Sequence, residues 1–441
     1  MRLRFLGAAR EVGRSCVLAE GKKSVLLDCG VKIGDRDEYP LVDARIARRL
    51  DAAVLSHAHL DHSGYLPALY GLGFHGRVSL TKPTRDLAQL LISDYLAIAK
   101  DSGERAPYGQ KQAEAFLKRT EILEYGQQSA DAPARLRPAG HILGASMVEL
   151  QDGKRLLYTG DVSLRSSRLL DPADLQGLDA EILVIESTYG GRADLHEPSK
   201  DTANRLVSTI QETLDKGGKV LIPSFAIGRG QEVLFLLESY MRSGKLERVP
   251  IYIDGMVKKA LRIYRHNAIN LKDEVKRRIL TSDDDPFKSP FYKESERKDR
   301  SDVLEGGKCV IVAPSGMLNG GPSLSYLKAL ASDPKNKLVF SGFQAENTVG
   351  RQLQDGRRSI SVHGQEIEVR LKVEEAHLSA HADSRELLSV VRALPSLEKV
   401  FVIHGEEQKS LEFAQAVENL AEKMKKRLDV FVPRLGDEFE A

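Results

Sequence analysis

The sequence contains no tryptophan, only three cysteines and no hydrophobic run long enough to cross a bilayer. Cys16, Cys29 and Cys309 lie far apart and form no Cys-x-x-Cys pair, so we expect reduced, buried thiols rather than a disulfide framework. Aromatic residues make up only 6% of the chain, which argues against recognition of nucleic acid by extensive base stacking. Since no signal-peptide core is evident either, the sequence predicts a cytoplasmic protein without a membrane partner.

A strong charge of one sign is also lacking, because the formal net charge of the 441 residues is only +2. This value neither requires nor excludes a nucleic-acid partner, so any basic surface must be local. Residues 258–300 carry 13 Lys and Arg against 8 Asp and Glu. We interpret this segment as a solvated helical face, with an RNA-facing rim as the alternative.

Several predicted strands in the N-terminal part are followed by a side chain that is suited to catalysis. Apolar runs at residues 25–28, 52–55, 155–158 and 182–185 predict buried strands. Asp28, His57, Asp161 and Glu186 stand at or just after the C-terminal ends of these strands. Polar residues at strand ends are typical of an α/β scaffold with its active site on one rim.

The densest group of candidate ligands lies in residues 56–64, which read Ser-His-Ala-His-Leu-Asp-His-Ser-Gly. His57 and His59 share one side of an extended segment, because successive side chains alternate between its faces. The turn that follows can bring Asp61 and His62 to a neighbouring centre. Nitrogen and carboxylate ligands at this density predict zinc or another first-row divalent ion, and two ions more readily than one. The alternative is a histidine cluster on the surface.

Further candidate ligands lie in loop contexts elsewhere in the chain. His141 is flanked by glycines, which let the backbone and side chain approach a ligand closely. Asp161 follows a predicted strand and is well placed to bridge two ions, while His381 and His404 lie near the C-terminus. Each alone would be a structural residue, but together these side chains supply two complete ligand sets.

The order of these residues resembles that of the metallo-β-lactamase superfamily. The matching residues are Asp28, His57, His59, Asp61, His62, His141 and Asp161. The segments around Glu186, His381 and His404 are similar to the three added motifs of its β-CASP branch, as are residues 222–229, 313–318 and 342–348. This branch contains the endonuclease of the cleavage and polyadenylation specificity factor, its bacterial and archaeal relatives, and ribonuclease J.

Within the branch, a histidine at the position of His404 is associated with members that process RNA. The chain carries neither the long C-terminal domain typical of ribonuclease J nor the N-terminal KH modules of one archaeal group. It therefore looks most similar to the short, two-domain ribonucleases of the cleavage-factor type.

The resemblance implies an α/β fold, in which a metallo-β-lactamase αββα sandwich carries an inserted β-CASP α/β domain. Residues 1–190 would form the first part of the sandwich, residues 191–375 the β-CASP domain and residues 376–441 the completion of the sandwich. The cleft between the domains would be a narrow channel for single-stranded RNA.

The resemblance also implies a role for each ligand. One Zn²⁺ would be held by His57, His59 and His141, and the other by Asp61, His62 and His404, with Asp161 shared between the ions. The same ligands accept Mn²⁺. Asp28 would orient a ligand histidine through its other ring nitrogen, the alternative being a cap of the turn before Gly30.

Three further side chains have implied roles in catalysis and binding. His381 would be the general acid that protonates the leaving 3′ oxygen, and Glu186 would hydrogen-bond it and raise its pKa. Ser379 would bind a phosphate oxygen, although a plain turn-stabilising hydroxyl is an equal alternative.

The sequence thus predicts a zinc-dependent ribonuclease that hydrolyses single-stranded RNA with metal-activated hydroxide and leaves 5′-phosphate and 3′-hydroxyl ends. Endonucleolytic cleavage is expected, with 5′–3′ exonuclease activity and a homodimer left open. The alternatives are a non-catalytic or partner-dependent subunit of an RNA-cleavage complex, a DNA nuclease, and a hydrolase of a thioester or lactam on the same metal core.

Overall fold

A computed structural model describes the chain except for six residues, namely Asp35, Asp283, Phe343, Glu346, His363 and His377. Phe343 and Glu346 belong to the predicted motif at 342–348, so that part of the motif lies outside the described residues. The chain divides into two compact units. The first contains residues 1–166, 170–195 and 381–441, and the second contains residues 167–169 and 196–380.

One sheet of the first unit has seven strands. They are β1 (Arg2–Phe5), β2 (Val17–Glu20), β3 (Ser24–Leu27), β4 (Ala52–Val54), β5 (Val78–Leu80), β6 (Thr120–Ile122) and β21 (Glu438–Glu440). Their order across the sheet is β21-β1-β2-β3-β4-β5-β6. The strands from β3 to β6 run parallel, so their C-terminal ends lie at one edge of the sheet.

The second sheet of this unit has six strands. They are β7 (Ala134–Pro138), β8 (Ser146–Asp152), β9 (Lys154–Tyr158), β10 (Ile182–Glu186), β19 (Lys399–Ile403) and β20 (Asp429–Phe431). Their order is β20-β19-β10-β9-β8-β7, with β9, β10, β19 and β20 parallel.

The core of the first unit lies between its two sheets. Leu27 and Val54 from one sheet and Tyr158, Val184 and Ile403 from the other belong to a single buried cluster. The helices are α1 (Ala44–Arg49), α2 (Leu60–Ser63), α3 (Leu66–Leu72), α4 (Lys82–Ser102), α5 (Gln110–Lys118), α13 (Ser384–Arg392) and α14 (Glu407–Met424). Since α4 packs against β6 and α14 against β19 and β20, the predicted αββα sandwich is confirmed.

The second unit is built around a parallel sheet, in agreement with the α/β domain that the resemblance implied. Its strands are β11 (Val220–Pro223), β12 (Ile251–Asp254), β13 (Tyr292–Ser295), β14 (Val310–Ala313), β15 (Lys337–Phe340) and β18 (Lys372–Glu375), in the order β13-β12-β14-β11-β15-β18. A separate hairpin joins β16 (Ser359–Val362) to β17 (Gln365–Glu368).

The second unit has helices before and between the strands of its parallel sheet. They are α6 (Ser199–Asp215), α7 (Arg229–Arg242), α8 (Met256–His266), α9 (Asp273–Thr281), α10 (Arg300–Glu305), α11 (Gly321–Leu330) and α12 (Val349–Gln354). Three 3₁₀ turns span Ala268–Asn270, Pro286–Lys288 and Arg297–Asp299. Among the described residues, no helix combines the length and the hydropathy that a membrane span requires.

Basic residues of the segment 258–300 form several ion pairs within the second unit. The ion pairs join Lys258 to Glu296, Arg262 to Glu294, Arg265 to Asp285, Lys276 to Asp273, Arg278 to Glu238 and Asp284, and Arg300 to Asp254. This pattern favours the solvated, ion-paired face over the RNA-facing rim.

The last helix, α14, ends at Met424. Lys425 adopts a left-handed conformation with φ of 53°, and its N–H bonds back to the carbonyl groups of Ala421 and Glu422. Lys426 then donates from Nζ to the carbonyl oxygens of Leu394 and Pro395. Lys425 thus terminates α14.

Candidate metal centre

The candidate ligands of the first unit follow the C-terminal ends of strands in both sheets. Asp28 follows β3, the His57 loop follows β4, Asp161 follows β9, Glu186 ends β10 and His404 follows β19. Parallel pairing places the ends of β3 and β4 at one edge of the first sheet. It likewise places the ends of β9, β10 and β19 at one edge of the second sheet.

Three imidazoles form the first half of the cluster. The Nδ1 atom of His59 lies 3.1 Å from Nε2 of His57 and 3.1 Å from Nε2 of His141. The Oδ2 atom of Asp161 lies 3.5 Å from Nε2 of His57 and 3.6 Å from Nε2 of His141. Ligand atoms of a tetrahedral zinc with bonds of about 2.0–2.1 Å lie at comparable separations, about 3.3 Å apart.

The second half of the cluster surrounds Oδ1, the other carboxylate oxygen of Asp161. The Oδ1 atom of Asp161 is 3.3 Å from Nε2 of His62 and 3.2 Å from Nδ1 of His404. The Nε2 atom of His404 is 3.4 Å from Oδ2 of Asp61. Asp161 therefore presents one oxygen to each half, which is the arrangement a shared ligand requires.

The chemistry of the donor atoms fits cations. Every member of the two groups is buried or half-buried. Oδ1 of Asp161 and Nε2 of His404 are buried without a hydrogen-bond partner among the described residues. Leaving a buried polar atom unpaired costs about 1–3 kcal/mol, which coordination of a cation offsets. A third possible group joins Asp161, Glu186 and His404.

The carboxylate of Asp28 is saturated with hydrogen bonds. Its Oδ1 accepts from the backbone N–H of Ser56 at 2.7 Å, and its Oδ2 accepts from the hydroxyl groups of Ser56 at 2.6 Å and Tyr158 at 2.7 Å. Nδ1 of His62 lies 2.7 Å from the same Oδ2. With Nδ1 held in this way, Nε2 of His62 is the ring nitrogen directed at Asp161.

The loop that carries Asp61 and His62 lies directly on the segment after β3. The N–H groups of Ser15 and Cys29 donate to the carbonyl oxygens of Asp61 and His62 at 2.7 and 2.8 Å. A Cβ atom at Gly30 would lie 1.7 Å from the carbonyl oxygen of Asp61. Glycine is required at position 30 because the backbone of the ligand loop occupies the place of a side chain.

Burial and neighbouring charges set the protonation states of the cluster. Burial lowers the pKa of His57 well below its usual value and also lowers the pKa of His59. Burial opposes ionisation of Asp61 and Asp161, but the adjacent imidazoles of His404 and His62 outweigh it and hold the pKa of each carboxyl below its usual value. Neutral imidazoles and ionised carboxylates are the forms that bind metals.

His62 is the exception among the imidazoles. Burial alone would lower its pKa, but the carboxylates of Asp161 and Asp28 outweigh burial and raise the pKa well above the usual value. A metal ion at Nε2 therefore competes with a proton.

His381 lies beside the cluster and contacts Glu186. Its Nδ1 is 3.0 and 3.1 Å from the two carboxylate oxygens of Glu186, and its Nε2 is 4.0 Å from Oδ2 of Asp161. Glu186 is fully buried and also accepts from the N–H groups of Val162 and Thr188. The carboxylate of Glu186 therefore orients the imidazole of His381, and two backbone N–H groups hold that carboxylate in place.

The backbone directly after His381 is held by hydrogen bonds. The N–H of Ala382 donates to the carbonyl oxygen of Val162 at 2.6 Å. Asp383 caps α13 by accepting from the N–H groups of Arg385 and Glu386, and Glu386 accepts from the N–H of Asp383 in return. These contacts fix the chain where it leaves His381.

Ser379, the predicted phosphate ligand, falls in the second unit and is half-buried. Its contact with phosphate stays a prediction. Sequence reasoning missed Tyr158 and Ser15, whose hydroxyl groups contact Asp28 and His62. The terminal position of Tyr158 in a predicted strand was the available signal, but its partner lies 130 residues away.

Comparison with known proteins adds independent findings. Residues 9–210 match the model of the metallo-beta-lactamase superfamily, and residues 230–353 match the Beta-Casp domain. Residues 366–433 match the Zn-dependent metallo-hydrolase RNA specificity domain.

Several archaeal proteins are similar over most of this chain. The transcription termination factor FttA of Methanocaldococcus jannaschii is 40% identical over 96% of this chain and 70% of its own length. The protein of the same name from Methanothermobacter thermautotrophicus is 41% identical over 94% of this chain and 69% of its own. An RNase J-like protein of M. jannaschii is 40% identical over 94% of this chain and 95% of its own.

Substitution of Gly30 by alanine should reduce metal binding, because the new Cβ would displace the backbone of Asp61. We expect elemental analysis of dialysed Gly30→Ala protein to find less zinc than in the wild type, with circular dichroism to verify folding. Gly307→Ala is the matched control, since a Cβ there would meet no atom within 4 Å. Full zinc content in Gly30→Ala would contradict the close approach.

Zinc binding should release a proton from His62, since its raised pKa keeps the imidazole protonated to a higher pH than usual. Affinity should therefore weaken as the pH falls through this raised pKa. Calorimetric titration with zinc in two buffers of different ionisation enthalpy measures the number of protons released on binding. Asp28→Asn removes one of the carboxylates that raise the pKa of His62, so zinc binding to this variant should release fewer protons. Heats of zinc binding that do not depend on the buffer in the wild type would refute proton release from His62.

Proposed function

The chain belongs to the metallo-β-lactamase superfamily, in its β-CASP branch, and on this basis we propose that it is a zinc-dependent ribonuclease for single-stranded RNA. The observation that carries the proposal is the position of Asp161, which has one carboxylate oxygen beside each of two complete ligand groups. Paralogues that act only as scaffolds would not need both groups intact, which disfavours a non-catalytic subunit.

Two zinc ions fit the donor atoms, and manganese is the alternative metal for the same ligands. His57, His59 and His141 would hold one ion, Asp61, His62 and His404 the other, and Asp161 both. Bound ions would supply positive charge that acidifies water and neutralises the phosphate oxygens. Asp28 contributes by holding Nδ1 of His62, which fixes the orientation of that ring.

His381 is the proposed general acid. Glu186 holds its Nδ1, so Nε2 is the nitrogen that can donate a proton to the leaving 3′ oxygen. Hydrolysis by water with this protonation leaves a 3′-hydroxyl on one product and a 5′-phosphate on the other.

RNA is the proposed substrate for two reasons. His404 lies within the segment that matches an RNA specificity domain, and it is one of the candidate ligands. Relatives at about 40% identity are named a transcription termination factor and an RNase J-like protein, which supports cleavage of transcripts. We propose endonucleolytic cleavage as the main mode; 5′–3′ exonuclease activity and homodimer formation stay predictions.

Zinc-loaded protein should cut a single-stranded RNA and leave the DNA of the same sequence intact. End-mapping should find 5′-phosphate and 3′-hydroxyl termini. Asp61→Ala removes a proposed metal ligand. Its cleavage activity should fall by more than about 100-fold, which is the upper end of the loss seen when a partner outside the ligand shell is removed. Equal cleavage of DNA would contradict the substrate, and 2′,3′-cyclic phosphate ends would contradict attack by water.

His381→Ala should lower kcat by about 10²–10⁴-fold, the usual contribution of a general acid, and should abolish the alkaline limb of the pH–rate profile. Its zinc content should stay that of the wild type, because His381 is not in the ligand groups. The role fails if the rate and the alkaline limb are unchanged.

A further inference from the structure

Tyr189 lies beside the proposed acid and has no part in the metal groups. Its ring centroid is 6.0 Å from that of His381, with the planes inclined at 50°. The residue is half-buried, whereas Thr188 before it and Gly190 after it are buried. An aromatic side chain is therefore presented at the surface of the first unit next to the imidazole.

The turn that carries Tyr189 is rigid. The N–H of Gly190 donates to the carbonyl oxygen of Ser187 at 3.0 Å, and a Cβ atom at Gly190 would lie 2.9 Å from the Cβ of Phe413 in α14. The N–H of Gly191 donates to the carboxylate of Asp194 at 3.0 Å. A ring on such a turn loses little further freedom when it contacts a ligand.

Lys409 of α14 contacts the ring of Tyr189. Its Nζ lies 5.6 Å from the ring centroid, within the range of a cation–π interaction. The same Nζ lies 3.5 Å from Asp194 and 3.8 Å from Glu406. Two carboxylates neutralise this ammonium group, so a backbone phosphate gains little there. The surface suits the flat face of a base better than a phosphate.

We propose that Tyr189 is the stacking surface for the base of the nucleotide on the 5′ side of the scissile bond, and that Lys409 positions its ring. This inference rests on the proposed ribonuclease function. The 3′ oxygen of that nucleotide takes its proton from His381, so its ribose lies within hydrogen-bond distance of the imidazole. A ring 6.0 Å from the imidazole is then within reach of the attached base.

Stacking on one ring accepts any base, because every base has a π face. The site therefore confers affinity and position at one nucleotide rather than a sequence code. Purines, which offer the larger face, should be modestly preferred there.

The test uses two RNAs that differ only in the base 5′ of a mapped cleavage site, one intact and one with an abasic ribose at that position. For the wild-type chain, removal of the base should lower kcat/KM by roughly five- to a hundredfold, the usual range for loss of one stacked base. For Tyr189→Ala, cleavage of the intact RNA should fall by a similar factor, and removal of the base should have little further effect.

Two variants separate the ring from its surroundings. Tyr189→Phe should retain wild-type kcat/KM and wild-type sensitivity to the abasic ribose; loss in this variant would assign the contact to the hydroxyl and overturn stacking. Lys409→Ala should weaken cleavage in the wild-type background but have no added effect in Tyr189→Ala, because it acts through the ring. Anisotropy of labelled RNA in an Asp61→Ala background measures the same cycle as binding alone.

The outcomes distinguish this inference from the function on which it rests. If the wild-type chain cuts RNA but Tyr189→Ala remains as sensitive to the abasic ribose as the wild type, only the stacking site is refuted. If the wild-type chain cuts neither RNA, the ribonuclease proposal falls and the inference falls with it.

Discussion

The buried carboxylate of Asp28 joins the parts of the first unit on which the candidate centre depends. It follows β3, accepts from Ser56 after β4, and accepts from Tyr158 at the end of β9 in the opposite sheet. It also fixes the ring of His62. A single carboxyl group therefore links the two sheets at the edge where the candidate ligands lie. Its left-handed backbone, with φ of 57°, is the kind of local strain that surrounding structure must over-determine.

Other members of the cluster are also held by their backbone conformation and by neighbouring charges. His404 also adopts a left-handed backbone, with φ of 50°, at the end of β19. Burial lowers the pKa of His57, the neighbouring imidazoles lower the pKa of Asp161, and two carboxylates raise the pKa of His62. Glu186 fixes His381 and belongs to neither of the two candidate ligand groups that contain His57 and His62. The buried imidazoles and carboxylates, and the left-handed backbone at His404, thus form a site that is suited to cations.

Short apolar runs allowed several strands of the first unit to be predicted from local periodicity, whereas the sandwich and the α/β second unit were implied by the resemblance of the motifs. Its three cysteines are buried and free, as expected. What it could not show were contacts between distant segments. These include the hydroxyl of Tyr158 on Asp28 and the backbone of Asp61 against Gly30. Nor does the sequence show that Lys425 ends α14 in a left-handed conformation, because a lysine, unlike a glycine, gives no signal of a helix end.

We propose that two ions share Asp161 in this cluster. Diffraction from zinc-loaded crystals, recorded on both sides of the zinc absorption edge, would locate the ions. We expect two anomalous peaks, one among His57, His59 and His141 and the other among Asp61, His62 and His404, with Asp161 between them. A single peak, or peaks away from Asp161, would contradict it.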